Sequence, residues 1–160
     1  MANDKALREH LVYLLEDGGA HLNFETAIKD LPAGARFKKP EGAAHSPGEV
    51  LEHMRITQRD ILDFSHDGTH VSPEFPAGYW PDPKAMPGER EWQKSADQFR
   101  ADFAQVVKLA KDESKDLFTK IPGGDGQTIL REVMLVADHN AYHLGELVAL
   151  RRALGAWHQS

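Results

Sequence analysis

Between Thr128 and Leu154 the residues Ile129, Val133, Val136, Asn140, His143, Leu147, Leu150 and Leu154 recur four and three positions apart without a break. An α-helix turns once in 3.6 residues, so this rhythm puts all eight on one stripe and commits the segment to a helix packed on others. The stripe contains His143, and His139 stands one turn earlier on its edge. Imidazoles at i and i+4 lie one above the other on a helix and can both reach one metal ion. Glu146 lies three residues beyond His143 on the same side.

Spacing alone is weak evidence. The chain has nine histidines, and chance supplies roughly half of one such pair in a chain of this composition. His66 and His70 share the spacing, but Asp67-Gly68-Thr69 separates them and prolines follow, which marks a helix end. His139 and His143 sit on a continuous stripe instead. The plainer reading of that pair is two half-buried core histidines satisfied by hydrogen bonds.

The first segment, through Leu7, Leu11, Leu14, Gly18, His21, Glu25 and Ile28, keeps the same rhythm, so one helix is expected from about Asp4 to Asp30, bent or closely packed at Gly18-Gly19. His21 falls on its inward stripe, as a core histidine, a partner of Glu25 or a neighbour of a metal. Residues 32 to 45 read as a loop. Ser46-Pro47-Gly48-Glu49 then opens a second helix with a capping box and a proline at its first position. Val50, Met54, Thr57, Ile61 and Phe64 form its seam. His53 lies beside Met54 on that face; alone it reads as a histidine at the core edge, but a third inward imidazole would complete a three-His site.

From His66 to Arg90 the chain holds prolines and glycines, among them Pro81, Pro83, Pro87 and Gly88, around Tyr79-Trp80. This is a long crossover, either a lid over a site or a passive connection whose aromatics rest on the helices. A third helix carries Trp92, Ala96, Phe99, Phe103, Val106, Ala110 and Leu117 and closes near Ile121-Pro122, with Asp125 or Thr128 capping the last helix. Two short links and one long one predict an all-α, four-helix bundle in up-down-down-up order with a long crossover between helices 2 and 3. Residues 1–160 read as a single domain.

The chain has no cysteine. Disulfides, cysteine-type zinc sites and protein thiol nucleophiles are therefore excluded, which leaves histidines and carboxylates as metal ligands. A net charge of −6 without a large basic cluster offers no footprint for nucleic acid. A polar start and the lack of a long apolar run lead to the expectation of a cytoplasmic protein without membrane contact.

Pro47-Gly48-Glu49-Val50-Leu51-Glu52-His53-Met54, the aromatic and proline-rich crossover, and Asp138-His139-Asn140-Ala141-Tyr142-His143-Leu144-Gly145-Glu146-Leu147 followed by Arg151-Arg152-Ala153-Leu154-Gly155 resemble the DinB superfamily. The resemblance spans nearly the whole chain. It implies a four-helix bundle whose metal is held by one histidine of the second helix and two of the fourth, here His53, His139 and His143. Family members usually have an aromatic near the start of the second helix, where Gly48 stands in this chain. The resemblance further implies homodimers, and thiol-dependent transfer or isomerisation with bacillithiol, mycothiol or glutathione.

Three neutral imidazoles with open positions suit zinc, nickel, iron, cobalt or manganese. Such an ion lowers the pKa of water to about 7 or holds a substrate thiol as thiolate. The favoured expectation is a metal-dependent enzyme acting on a small-molecule substrate with a low-molecular-weight thiol. A metal-water hydrolase and a non-catalytic, metal-stabilised bundle are the alternatives. Glu25, Glu52, Asp138 and Glu146 are candidates to orient the imidazoles, with His21 and Trp80 beside the open side; each also reads as a solvated or structural residue.

Overall fold

The computed structural model describes residues 2–17, 19–85 and 88–157; Gly18 and Pro87, which enter the sequence reading above, lie outside them. The described residues are helical, with one isolated bridge between Lys120 and Thr128 and no strand. The helices are α1 (Ala2–Glu16), α2 (Phe24–Ile28), α3 (Ala33–Arg36), α4 (Pro47–His66), α5 (Glu89–Lys111) and α6 (Ile129–Ala153). Two 3-10 turns, Ala77–Tyr79 and Pro83–Ala85, punctuate the crossover.

The continuous first helix expected from Asp4 to Asp30 is instead α1 and α2. Gly19 adopts a φ of +57°, a left-handed conformation that ends a helix and suits glycine. Asn23 then starts α2 by accepting the Thr26 N–H. The break turns the predicted stripe: Leu11 and Leu15 are buried, whereas Leu14 and His21 are exposed. Short α3 also forms inside the segment expected to be a loop.

The third helix ends ten residues before the expected Ile121. Asp112 accepts hydrogen bonds from both the N–H and hydroxyl of Ser114, and Asp116 accepts the Phe118 N–H, so side chains take over from the helical ladder. Leu117 is nevertheless fully buried, as an anchor of the connection rather than a helical residue.

The capping box of α4 forms as expected: Ser46 Oγ accepts the Glu49 N–H, and the Glu49 carboxylate accepts the Ser46 N–H at 2.7 Å. Thr128 caps α6. Helix α4 packs on both α5 and α6, and α1 packs on the same pair. Val50, Leu51, Met54 and Leu62 on α4, and Val133, Val136 and Leu147 on α6, are almost completely removed from water. Each such side chain stabilises the fold by about 1.5–3 kcal/mol before entropy is counted. Packing this tight leaves the α4–α6 contact little freedom, and the histidines sit on it.

Candidate metal centre

His53 comes from α4, one residue before the buried Met54. His139 and His143 come from successive turns of α6. The Nε2 atom of His53 lies 3.1 Å from Nε2 of His143 and 3.1 Å from Nε2 of His139. Among the described residues this is the one group of three histidine or carboxylate side chains with ligand atoms close enough to share an ion. His53 and His143 are buried and His139 is partly so.

Two protons are assigned by their acceptors. His53 Nδ1–H donates to the carbonyl of Tyr79 at 2.8 Å, and His143 Nδ1–H donates to Glu146 Oε2 at 2.8 Å. The neutral rings therefore present bare Nε2 lone pairs to each other, with no proton to share between them. Burial lowers the pKa of His139 to about 3, aided by repulsion from His143 and His53 and opposed by the side chain of Asn140. Burial also lowers that of His53, against the pull of the Tyr79 carbonyl. The hydrogen bond from His143 holds the Glu146 carboxyl below its ordinary range.

Bare, neutral nitrogens packed together are the donor set a divalent transition metal requires. Two nitrogens each about 2.1 Å from one ion are at most about 4.2 Å apart, and both measured separations fall inside that limit. The cluster is therefore compatible with metal binding.

A family model described as the DinB superfamily matches residues 20–147. The chain belongs to the DinB superfamily. No curated protein and no solved structure matches it.

In this DinB-superfamily chain the aromatic cover of the first histidine comes from the crossover. The ring of Trp80 stacks on His53 with centroids 4.0 Å apart and planes 6° apart, and on His45 at 3.6 Å. A Cβ at Gly48 would lie 2.3 Å from Cε1 of Phe37, so the Phe37 ring occupies the space beside the start of α4. The cleft over the histidines measures about 560 Å³ and is bordered by Thr57, Phe75, Tyr79, Trp80, Tyr142 and Glu146, among others. Phe75 and Tyr142 are largely exposed at it. Thr57 Oγ1 is buried there without a partner.

Of the residues singled out from sequence, Glu146 and Trp80 lie at the three histidines, and four do not. Glu52 points toward α5, where its carboxylate binds Arg55 at 2.7 and 2.8 Å and accepts from Ser95 Oγ at 2.6 Å. Asp138 is exposed. Adjacency in a helix sets neighbours about 100° apart, so residues next to a ligand face away from it. His21 and Glu25 line a different cleft, because the break after α1 redirects them; Glu25 is bound there by Arg100 at 2.7 and 2.9 Å.

Sequence reasoning missed His45, Asp60 and the Tyr79 carbonyl. Asp60 accepts from the Tyr79 hydroxyl at 2.7 Å and from His70 Nε2–H at 2.9 Å, so His70 ties the crossover to α4. Asp60 sits seven residues after His53, two turns along the same face, and that spacing was the available signal. A backbone carbonyl leaves none.

Proposed function

We propose that His53, His139 and His143 hold one divalent transition metal and that the protein is a metal-dependent enzyme acting on a low-molecular-weight thiol, in transfer or isomerisation. The observation that carries this reading is the convergence of three Nε2 atoms at one side of an open cleft, two of them on rings whose Nδ1 protons are committed elsewhere. Zinc, nickel, iron, cobalt and manganese all accept such donors. A divalent ion so held supplies uncompensated positive charge that favours the thiolate form of a bound thiol.

The protein's own groups have separable tasks. Tyr79 and Glu146 hold the rings of His53 and His143 in register. Trp80 shields one face of His53 from water. Phe75 and Tyr142 offer apolar walls for the acceptor. An open cleft with three protein donors favours an enzyme over a closed structural site, which fills four positions with protein.

The same reading includes an up-down-down-up four-helix bundle. Supporting it, Met54 shares a core cluster with Phe99 and Leu147, while Leu62 shares another with Val106 and Val133, as parallel α4 and α5 and an antiparallel α6 require. A single domain over residues 1–160, a homodimer and a cytoplasmic setting complete the proposal. No described helix is long and apolar enough to cross a membrane.

Elemental analysis of freshly purified protein, followed by calorimetric titration of metal-loaded protein with glutathione, bacillithiol and mycothiol, tests it. One thiol should bind the native protein, and His139→Ala should abolish that binding. Full metal occupancy with no thiol bound would end the thiol reading, and ester or amide hydrolysis without thiol would replace it with the hydrolase.

A further inference from the structure

The charges around the cleft over the three histidines are one-sided. Glu146 and Asp60 border it, and among the described residues no lysine or arginine does. The Glu146 side chain is 31% exposed while it holds the His143 ring. Asp60 accepts from the Tyr79 hydroxyl and from His70 Nε2–H, bonds that orient both of its oxygens. With a divalent ion held by three neutral imidazoles, Glu146 and one thiolate already balance its charge, before Asp60 is counted.

The cations on the two helices that flank the cleft are committed elsewhere. On α4, Arg55 binds Glu52 at 2.7 Å, and Arg59 binds Asp63 at 2.6 Å and the fully buried Asp102 at 3.2 Å. Drawing Arg59 into the cleft would leave a buried carboxylate short of its counter-ion, which is costly. On α6, Arg131 binds Glu132 at 2.7 Å, Arg151 donates to the carbonyls of Ala27, Lys29 and Ala156, and Arg152 lies over the Trp157 ring. Lys84, in the crossover, does not border the cleft.

The rest of the lining is largely aromatic. Trp80 is covered on both faces, by His45 at 3.6 Å and by His53 at 4.0 Å, so the open ring surface comes from Phe75 and Tyr142. Walls of this kind take up the uncharged part of a ligand and give a carboxylate nothing in exchange for its water.

Resting on the thiol reading above, we propose that this cleft selects among thiols by charge: it admits those whose body is uncharged and refuses those that carry a carboxylate beyond the sulfur. The protein supplies no cation to receive a second negative group, and Glu146 and Asp60 repel one.

Para-mercaptobenzamide and para-mercaptobenzoate test this, because they share one rigid shape, both ionise at sulfur, and hold the second group too far from the sulfur to reach the same ion. The zinc-loaded full chain is titrated calorimetrically with each at pH 8, where an imidazole of ordinary pKa adds no charge. The amide should bind at least ~10-fold more tightly than the carboxylate. Tyr142→Lys, which puts a cation at the mouth from α6, should narrow that ratio about threefold, and Phe75→Lys should do the same from the crossover if the first variant does not fold. A carboxylate that binds the native protein as tightly as the amide would overturn charge selection while leaving the thiol reading intact. An amide preference untouched by the added lysine would also overturn it, since shape or hydrogen bonding would then be what is read. If neither compound binds, the thiol reading falls and this proposal falls with it.

Discussion

His53 on α4 donates its Nδ1 proton to the backbone carbonyl of Tyr79, 26 residues later in the crossover, at 2.8 Å. The Tyr79 hydroxyl in turn donates to Asp60, back on α4. The crossover is thus pinned at both ends of one residue, and the tautomer of His53 depends on a segment with almost no regular structure.

Tyr79→Phe keeps the carbonyl but frees it from Asp60. We predict a three- to tenfold weaker metal affinity, roughly the lower end of what outer partners of a ligand contribute. Chelator competition measures it, with thermal unfolding in EDTA as the control for folding. An unchanged affinity would mean that the crossover backbone alone holds the carbonyl.

Metal should stabilise the native state by linkage. At free metal 100 times the dissociation constant the expected gain is about 2.7 kcal/mol, which for a chain of this size raises Tm by roughly 5–10 °C. His139→Ala and His53→Ala should each erase that rise. His45→Ala should retain most of it, because His45 touches Trp80 rather than the cluster. Differential scanning calorimetry with zinc and nickel separates these outcomes.

Gly48 is a helix position where alanine is ordinarily favoured by about 1 kcal/mol. Here a Cβ would collide with the Phe37 ring, and overpacking of this kind costs about 1–3 kcal/mol. Gly48→Ala is therefore expected to be no more stable than the native protein. Pairing it with Phe37→Leu should recover part of the loss in urea denaturation, as a non-additive effect between neighbours. Equal penalties in the single and paired variants would count against the collision.

Burial raises the Glu49 carboxyl, but hydrogen bonds from Ser46 and the charge of Lys39 outweigh it and hold the group below its ordinary 4.5. The folded value is depressed, so the carboxylate adds stability above about pH 4.5 that is lost as pH falls through its folded pKa. Glu49→Gln should accordingly destabilise more at pH 7 than at pH 3. Urea midpoints at the two pH values check this; a pH-independent difference would show that packing, not charge, is what the substitution removes.

Periodicity foretold α4 and the burial of the α6 stripe, because both helices bury one continuous face and are started by local chemistry: Ser46 with Glu49, and Thr128. It misjudged the first helix and the end of the third, where Gly19 and the Asp112 turn act over a few residues inside an otherwise acceptable pattern. It also misplaced Glu52 and Asp138, since nearness along a helix was taken for nearness in space.

Residue type and spacing alone determined that two imidazoles share a face of the last helix, that a third could come from the second, and that no thiol of the protein is available for chemistry. Helical geometry is local, so those conclusions needed no partner. Only tertiary packing decided that the three nitrogens lie 3.1 Å apart in two pairs and that a carbonyl from the crossover orients one of them. These depend on where α4, α6 and the crossover meet, and distance along the chain carries no record of that.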